Sequence, residues 1–240
     1  MNKWQKLLNQ AETVLYDWLE VQSKWSSLEA IYLGSKDIRI QLPEDSERFD
    51  EIDRDWRELM ANAKNTPNVI EACSTNNRSE RLQTMKVGLE MSEKSLFQYL
   101  ETKRKSFPRF YFLSNAALLD LLSFGHDPQA VQKHLGDCFD NIAKLEFTTE
   151  PDPHNPDPAA PPVPTKTAIG MYSKEGEEYV PLTVDFHCQG AVEDWLNRLV
   201  TAMKSTLMEI LSKAKFTADH WDVESVAQLH CTALSRTEPH

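Results

Sequence analysis

The stretch WQKLLNQAETVLYDWLEVQSKWSSL, residues 4–28, repeats apolar side chains at alternating spacings of three and four residues. This spacing aligns the side chains along one face of a helix. The face consists of Trp4, Leu7, Ala11, Val14, Trp18, Val21, Trp25 and Leu28, and Leu8, Leu15 and Ile31 widen it. We therefore expect one long helix that packs against several neighbours in a larger bundle. A homodimeric coiled coil is the alternative, which the tryptophans disfavour because smaller side chains fit the holes of a dimer better.

Further helices are expected through residue 146. Apolar spacing predicts a second helix over residues 46–63 and a third over residues 79–105, which Pro108 ends by removing a backbone donor. The basic residues Lys103, Arg104 and Lys105 are expected at the solvent end of this third helix, where they complement its dipole. Two more helices follow. One is capped by Ser114 or Asn115, and the other starts at Pro128 and continues through Leu145.

The composition changes after residue 146. Residues 151–164, PDPHNPDPAAPPVP, hold seven prolines, so we expect an exposed insertion over residues 147–169. A β-hairpin is predicted over residues 170–186, with Gly176 in its turn. The last segment, residues 187–240, is expected to be helical from about Ala191, with apolar core positions from Val192 to Leu211. The predicted fold is thus mainly α, an elongated multi-helix bundle with one β-hairpin insertion.

Net charge and cysteine usage restrict the classes of partner. The formal net charge of −11 repels phosphate backbones and anionic bilayers, so neither nucleic acid nor membrane is an expected partner. The four cysteines form no CxxC pair, as is typical of a reducing compartment. The N-terminus lacks the apolar run of a signal peptide, and no window is long and apolar enough for a membrane helix. We expect a soluble, intracellular protein.

Motifs that carry chemistry are missing from the sequence. It contains no GxxxxGK[ST], GxGxxG, HExxH or GxSxG pattern. The acidic run EDSERFDEIDRD, residues 44–55, lacks the glycine of a calcium loop and fits the solvated face of the second helix. His187–Cys188 and His230–Cys231 are ligand pairs only if the fold brings them together. The residues alone therefore indicate a helical scaffold with no catalytic, cofactor or metal site.

Six colinear motifs carry a resemblance to a known family. They are LEAIYLGSKDIRIQLPEDSERFDEID at 28–53, KNTPNVIEA at 64–72, YLETKRKSFPRFYFLSNAALLDLLS at 99–123, DPQAVQKHLGDCFDNIAKLEF at 127–147, GMYSKEGEEYVPL at 170–182 and VEDWLNRL at 192–199. Together they resemble the linker region of dynein heavy chains, most closely the axonemal outer-arm beta type. The resemblance covers nearly the whole chain.

The resemblance implies a mechanical role. A dynein linker arches over an AAA+ ring, bends and straightens with nucleotide state, and transmits the movement to the tail of an ATP-driven microtubule motor. The implied partners are the ring of the same heavy chain, the tail and its associated chains, and the microtubule through the full motor, in a ciliary or flagellar axoneme. The ATPase modules would lie outside these residues.

Two sets of residues follow from these expectations. Arg109, Tyr111, Lys174 and Glu175 are the predicted ring-docking residues, because a hairpin tip and a polar-aromatic helix start are the irregular features of a regular bundle. The predicted structural core contains Trp4, Trp18, Trp25, Trp56, Phe107, Phe110, Phe112 and Trp195.

Several positions depart from the family pattern. Ala116 and Ala117 stand where acidic residues are common, Lys133 replaces a usual proline, and SRTEPH at 235–240 replaces an aromatic segment. The resemblance therefore suggests a truncated linker. A non-motor helical adaptor or tether is the alternative function, and the missing internal repeat disfavours it.

Overall fold

A computed structural model describes residues 2–75, 77–151, 161–174 and 178–219. The chain divides into two compact units, Met1–Gly125 and His126–His240. Helices dominate, and three strands form a small antiparallel sheet, so the mainly α fold with a β-hairpin is confirmed.

Unit 1 is built on three long helices. Its elements are α1 (Asn2–Gly34), α2 (Lys36–Gln41), α3 (Pro43–Lys64), α4 (Val69–Ser74), α5 (Arg78–Ser106), a 3-10 helix (Pro108–Phe112) and α6 (Asn115–Ser123). The helix α1 packs against α5, α4 and α3. Side-chain caps start two of the short helices, because Ser35 accepts from the Ile38 N–H and Asn68 from the Ile70 N–H.

Aromatic side chains hold α1 to α3. The Trp56 side chain on α3 is 3% exposed, and its ring centroid lies 6.5 Å from that of Trp18 and 5.9 Å from that of Trp25, both on α1. The Trp25 indole N–H also donates to Asp53 Oδ1 at 3.0 Å. Further along the same pair of helices, Tyr32 stacks on Phe49. Large rings at successive positions thus fix how α1 lies on α3.

The long first helix forms as predicted, but Trp4 does not belong to the core. Its side chain is 65% exposed, and burial along α1 begins only at Ala11. The spacing of apolar residues identifies the face of a helix that packs inward. It does not say how far the neighbouring helices reach along that face, and they stop short of the first turns.

Unit 2 combines short helices with the sheet. Its elements are α7 (Pro128–Val131), a 3-10 helix (Gln132–His134), α8 (Leu135–Cys138), β1 (Ile142–Glu150), β2 (Val163–Ser173), β3 (Tyr179–His187) and α9 (Val192–Asp219). The strands run antiparallel in the order β1-β2-β3. The buried Trp195 and Leu196 lie on α9, which packs against β3. Thr206 on α9 accepts a hydrogen bond from the Thr183 N–H at 3.2 Å, which ties the helix to the strand.

The prediction of a helix that continues through Leu145 is wrong. The helical segment ends at Cys138, and residues 142–150 form β1. A β-bulge explains the error. Ile142 pairs with Ser173 and Lys144 with Tyr172, so one residue of β1 is extra. The extra residue puts Ile142 and Leu145 among the buried side chains at a spacing of three, which imitates a helix. The boundary predicted at residue 146 therefore falls inside a strand.

The predicted hairpin is formed by β2 and β3, and β2 begins earlier than expected, at Val163. Its turn residue Gly176 and most of the proline-rich insertion lie outside the described residues. The predicted C-terminal helix is present as α9. Its core assignment fails beyond Met203, because Leu207, Ile210 and Leu211 are exposed.

We predict that Trp56→Ala destabilises unit 1 by about 3–5 kcal/mol, because it leaves a cavity between Trp18 and Trp25. Urea unfolding followed by circular dichroism at 222 nm measures the change. The matched control is Trp4→Ala, an exposed tryptophan whose loss should change the free energy of unfolding by less than about 0.5 kcal/mol. Equal effects of the two substitutions would contradict the packing described for Trp56.

Candidate functional site

The predicted docking residues lie in both units. Arg109 and Tyr111 belong to the 3-10 helix Pro108–Phe112 of unit 1. Lys174 directly follows β2 in unit 2. Glu175 lies outside the described residues.

A buried arginine organises the region around the 3-10 helix. The Arg104 side chain of α5 is 6% exposed, and its Nη2 donates to Asn115 Oδ1 at 2.7 Å and to the Leu113 carbonyl at 3.4 Å. Its Nε donates to the Phe110 carbonyl at 3.5 Å. The carboxylate of Glu101 lies 3.6 Å from Nη1. We call residues 101–115 the Arg104 junction, since one guanidinium connects α5, the 3-10 helix and the start of α6.

Local sequence shapes the Arg104 junction. Pro108 sits at the start of the 3-10 helix and cannot donate to α5, and Phe107 has the extended backbone of a C-cap. Phe107 and Phe110 are both buried, with their rings edge to face at 4.9 Å. The Ser114 hydroxyl then accepts from the Ala117 N–H at 3.2 Å and begins α6.

The prediction that Phe112 belongs to the core is wrong. Its side chain is 75% exposed. A 3-10 helix has three residues per turn, so the spacing of three from Phe107 to Phe110 brings these two rings to the same side. Phe112 falls on another side of the turn and faces solvent. Trp18 and Trp25 are half-buried, and Trp56, Phe107, Phe110 and Trp195 are buried.

The outer side of the Arg104 junction presents aromatic surface. Tyr111 is exposed, its hydroxyl donates to Glu101 Oε2 at 3.1 Å, and its ring centroid lies 6.0 Å from Arg104 Cζ. Partial burial, and then the hydrogen bond to Glu101, raise the pKa of Tyr111. Arg109 is half-buried. This surface can offer ring faces and a cation to a protein partner.

The burial of Arg104 contradicts the expectation that all three basic residues lie at the solvent end of α5. Lys105 is exposed, whereas Arg104 continues the buried face of the helix. That face includes Leu89, Leu96 and Leu100. Arg104 follows Leu100 at a spacing of four, and this spacing was the sequence signal for its burial. The positive charge of Arg104 suggested an exposed side chain, because the helix dipole also stabilises an exposed cation near a helix C-terminus.

Lys174 is exposed but held by the main chain of unit 2. Its Nζ donates to the Gly136 carbonyl at 2.8 Å, and its backbone N–H donates to the Asn141 carbonyl at 3.2 Å. The cation therefore sits at the C-terminal end of α8, where backbone carbonyls point outward.

The acidic run and the histidines have other partners. Asp50 pairs with Arg39 at 2.6 Å, and this hydrogen-bonded pair lowers the pKa of Asp50. The ring of His187 hydrogen-bonds to Thr167, and burial raises the pKa of Cys188 to about 12. His230 and Cys231 lie outside the described residues. Across the part of the chain that the structure describes, no group of three His, Cys, Asp or Glu residues could hold a metal ion.

Of the helices within the described residues, none combines the length and apolar character needed to cross a membrane.

Comparison with known proteins identifies similar sequences. The family described as "Dynein heavy chain, N-terminal region 2" matches residues 1–214. The ciliary dynein beta chain of Tripneustes gratilla is 45% identical over 240 residues, 98% of this chain. The dynein beta chain of the flagellar outer arm of Chlamydomonas reinhardtii is 48% identical over 219 residues, 91% of this chain. Human dynein axonemal heavy chain 17 is 43% identical over 241 residues, 98% of this chain. The chain spans 5% of the length of each of these relatives.

We predict that Arg104→Ala destabilises unit 1 by about 2–4 kcal/mol, because the buried Phe110 and Leu113 carbonyls and the partly buried Asn115 amide oxygen lose their donor. Urea unfolding gives the free energy, and amide hydrogen exchange of residues 107–118 locates the change. Lys105→Ala removes the neighbouring exposed cation and should cost less than about 0.5 kcal/mol. Unchanged exchange in Arg104→Ala would show that the guanidinium does not hold the junction.

Proposed function

This chain belongs to the dynein heavy chain family, as part of its N-terminal region 2, and from this membership we propose that it is a segment of the motor's linker. In this role it carries ATP-driven changes of the AAA+ ring to the tail during microtubule-based motility. The names of the relatives refer to cilia, flagella and axonemes, so the proposed location is an axoneme.

The packing of unit 1 is the observation that best supports a lever. A lever must transmit displacement without bending, and helices that are packed along their length resist bending. The helices α1 and α5 have 33 and 29 residues, so each is roughly 40–50 Å long. They are joined by ion pairs from Lys86 to Glu20 at 2.6 Å and from Lys24 to Glu93 at 3.3 Å. The Trp56 cluster joins α1 to α3.

The Arg104 junction and Lys174 are the proposed contacts with the ring. Tyr111 and Phe112 expose aromatic surface on a segment that a buried guanidinium holds in place. A surface held in one conformation loses less entropy on binding than a mobile one. Lys174 adds a cation fixed at the end of α8.

The other activities of the motor are proposed to lie elsewhere in the protein. The sequence carries no phosphate-binding loop motif, so we assign ATP hydrolysis to modules outside this chain. The tail, its associated chains and the microtubule would be reached through the full heavy chain. Membership in a motor family favours this function over a non-motor adaptor or tether.

The lever proposal predicts that a weakened core uncouples movement from ATP hydrolysis. In a full-length motor carrying this segment, Trp56→Ala should lower microtubule gliding velocity about twofold or more, because a locally opened core transmits less displacement. The ATPase rate should stay near that of the parent. Trp4→Ala is the matched control and should leave velocity unchanged. Equal velocities despite a verified loss of stability in Trp56→Ala would rule out a load-bearing role for this core.

The docking proposal predicts a charge-dependent contact. Arg109→Glu with Lys174→Glu in the full-length motor should reduce energy transfer between fluorophores on the linker and the ring, and should slow gliding by about twofold or more. The control is Lys94→Glu with Lys166→Glu, which reverses two exposed cations outside the proposed contact. If a folded Arg109/Lys174 variant keeps parental velocity and energy transfer, these residues do not dock.

A further inference from the structure

The last turns of α9 carry apolar side chains that face solvent. Up to Thr206 the helix packs on β3, but every residue from 210 to 219 is exposed. Met208 and Leu211 are 70% and 69% exposed. We call residues 204–216 the α9 end. Exposed apolar residues that lie close together on one helix are a common feature of interaction surfaces.

One face of the α9 end has an ordered chemical pattern. At 100° per residue, Lys204, Met208, Leu211 and Lys215 lie within a sector of about 60°. Two apolar side chains are thus flanked by two cations about 16 Å apart along the axis. Lys213 pairs with Glu209 at 2.7 Å, whereas Lys204 and Lys215 have no acidic partner among the described residues.

Unit 1 has a groove between α3 and α5, which we call the α3–α5 groove. Its volume is about 520 Å³, and Ile52, Met85, Val87 and Met91 supply its apolar lining. Val87 and Met91 are 54% and 50% exposed, so the apolar lining is accessible. Gly88 lets α3 approach closely, since a Cβ at that position would lie 2.7 Å from Ile52 Cδ1.

The rim of the α3–α5 groove is acidic. Both of its guanidiniums are paired within unit 1: Arg48 with Asp45, and Arg81 with Glu58 at 3.5 Å. Glu51 and Glu80 also line the groove and have no cationic partner among the described residues. Glu51 on α3 directly precedes Ile52, which lies against Gly88 of α5. Gly88 is eight residues, or about 12 Å, from Glu80 along α5.

We propose that the α9 end of one copy of this chain binds the α3–α5 groove of a second copy. Met208 and Leu211 would lie on the apolar lining, and Lys204 and Lys215 would face Glu51 and Glu80. The interface is heterologous, so association is head-to-tail and can extend beyond two copies. Few side chains take part in the proposed interface, so we expect the association to be weak. This inference does not depend on the proposed motor function.

Charge favours this occupant over the other candidates. Two α9 ends would bring lysines against lysines, which disfavours a symmetric pair. An anionic bilayer would attract the lysines but repel a chain of net charge −11. The α3–α5 groove of a second copy instead offers negative charge to the lysines and an apolar lining to Met208 and Leu211.

Sedimentation velocity of the full 240-residue chain over a range of concentrations tests the proposal. Lys204→Glu with Lys215→Glu, and separately Glu51→Lys with Glu80→Lys, should each weaken association about tenfold. Mixing the two variants should restore association to within about threefold of the parent, because each supplies the surface that the other has reversed. Leu211→Asp should also weaken association about tenfold, because it places a charge on the apolar surface.

The control is Lys105→Glu with Lys166→Glu, which changes the net charge by the same amount as the α9 variant and should leave association unchanged. Circular dichroism melts confirm that each variant is folded. A parent that stays monomeric at all concentrations overturns the proposal. So does an association that survives both reversals, or one that the mixture fails to restore, since either would place the contact elsewhere.

Discussion

The buried guanidinium of Arg104 is the interaction on which the proposed docking surface of unit 1 depends. A cation removed from water must find acceptors, and here they are two backbone carbonyls, the Asn115 amide oxygen and the Glu101 carboxylate. These acceptors lie on three successive elements. The path of the chain from α5 through the 3-10 helix into α6 therefore depends on one side chain, and so does the position of Tyr111 and Phe112.

Helical periodicity predicted most of the architecture because burial on one face is a property of each helix by itself. The faces of α1, α3 and α5 were visible in the sequence for this reason. The extent of burial along a helix depends on neighbours, which periodicity does not describe. Trp4 at one end of α1 and Leu211 near the end of α9 continue their apolar faces but lie beyond the packed neighbours.

The strand β1 and the burial of Arg104 show two other limits of sequence reasoning. The bulge between Ile142 and Lys144 gave a strand the spacing of a helix. Arg104 occupied a buried position of α5 while its charge suggested the solvent end. In both cases a rule based on local sequence, apolar spacing for β1 and charge for Arg104, gave a different answer from the tertiary structure. The proposed docking residues came from irregular sequence features and a family resemblance, and the geometry of the junction was not predictable from either.

The identity of residue 104 follows from the same geometry. An arginine presents several donors in a planar fork, so one side chain can reach the Phe110 and Leu113 carbonyls and Asn115 together. A lysine presents a single ammonium at the end of a flexible chain and cannot span these acceptors in the same way. In the proposed linker, force that enters through Tyr111 and Phe112 would pass to α5 through main-chain groups bound by this fork. The mechanical role would then restrict position 104 to arginine more strongly than it restricts the exposed aromatic residues themselves.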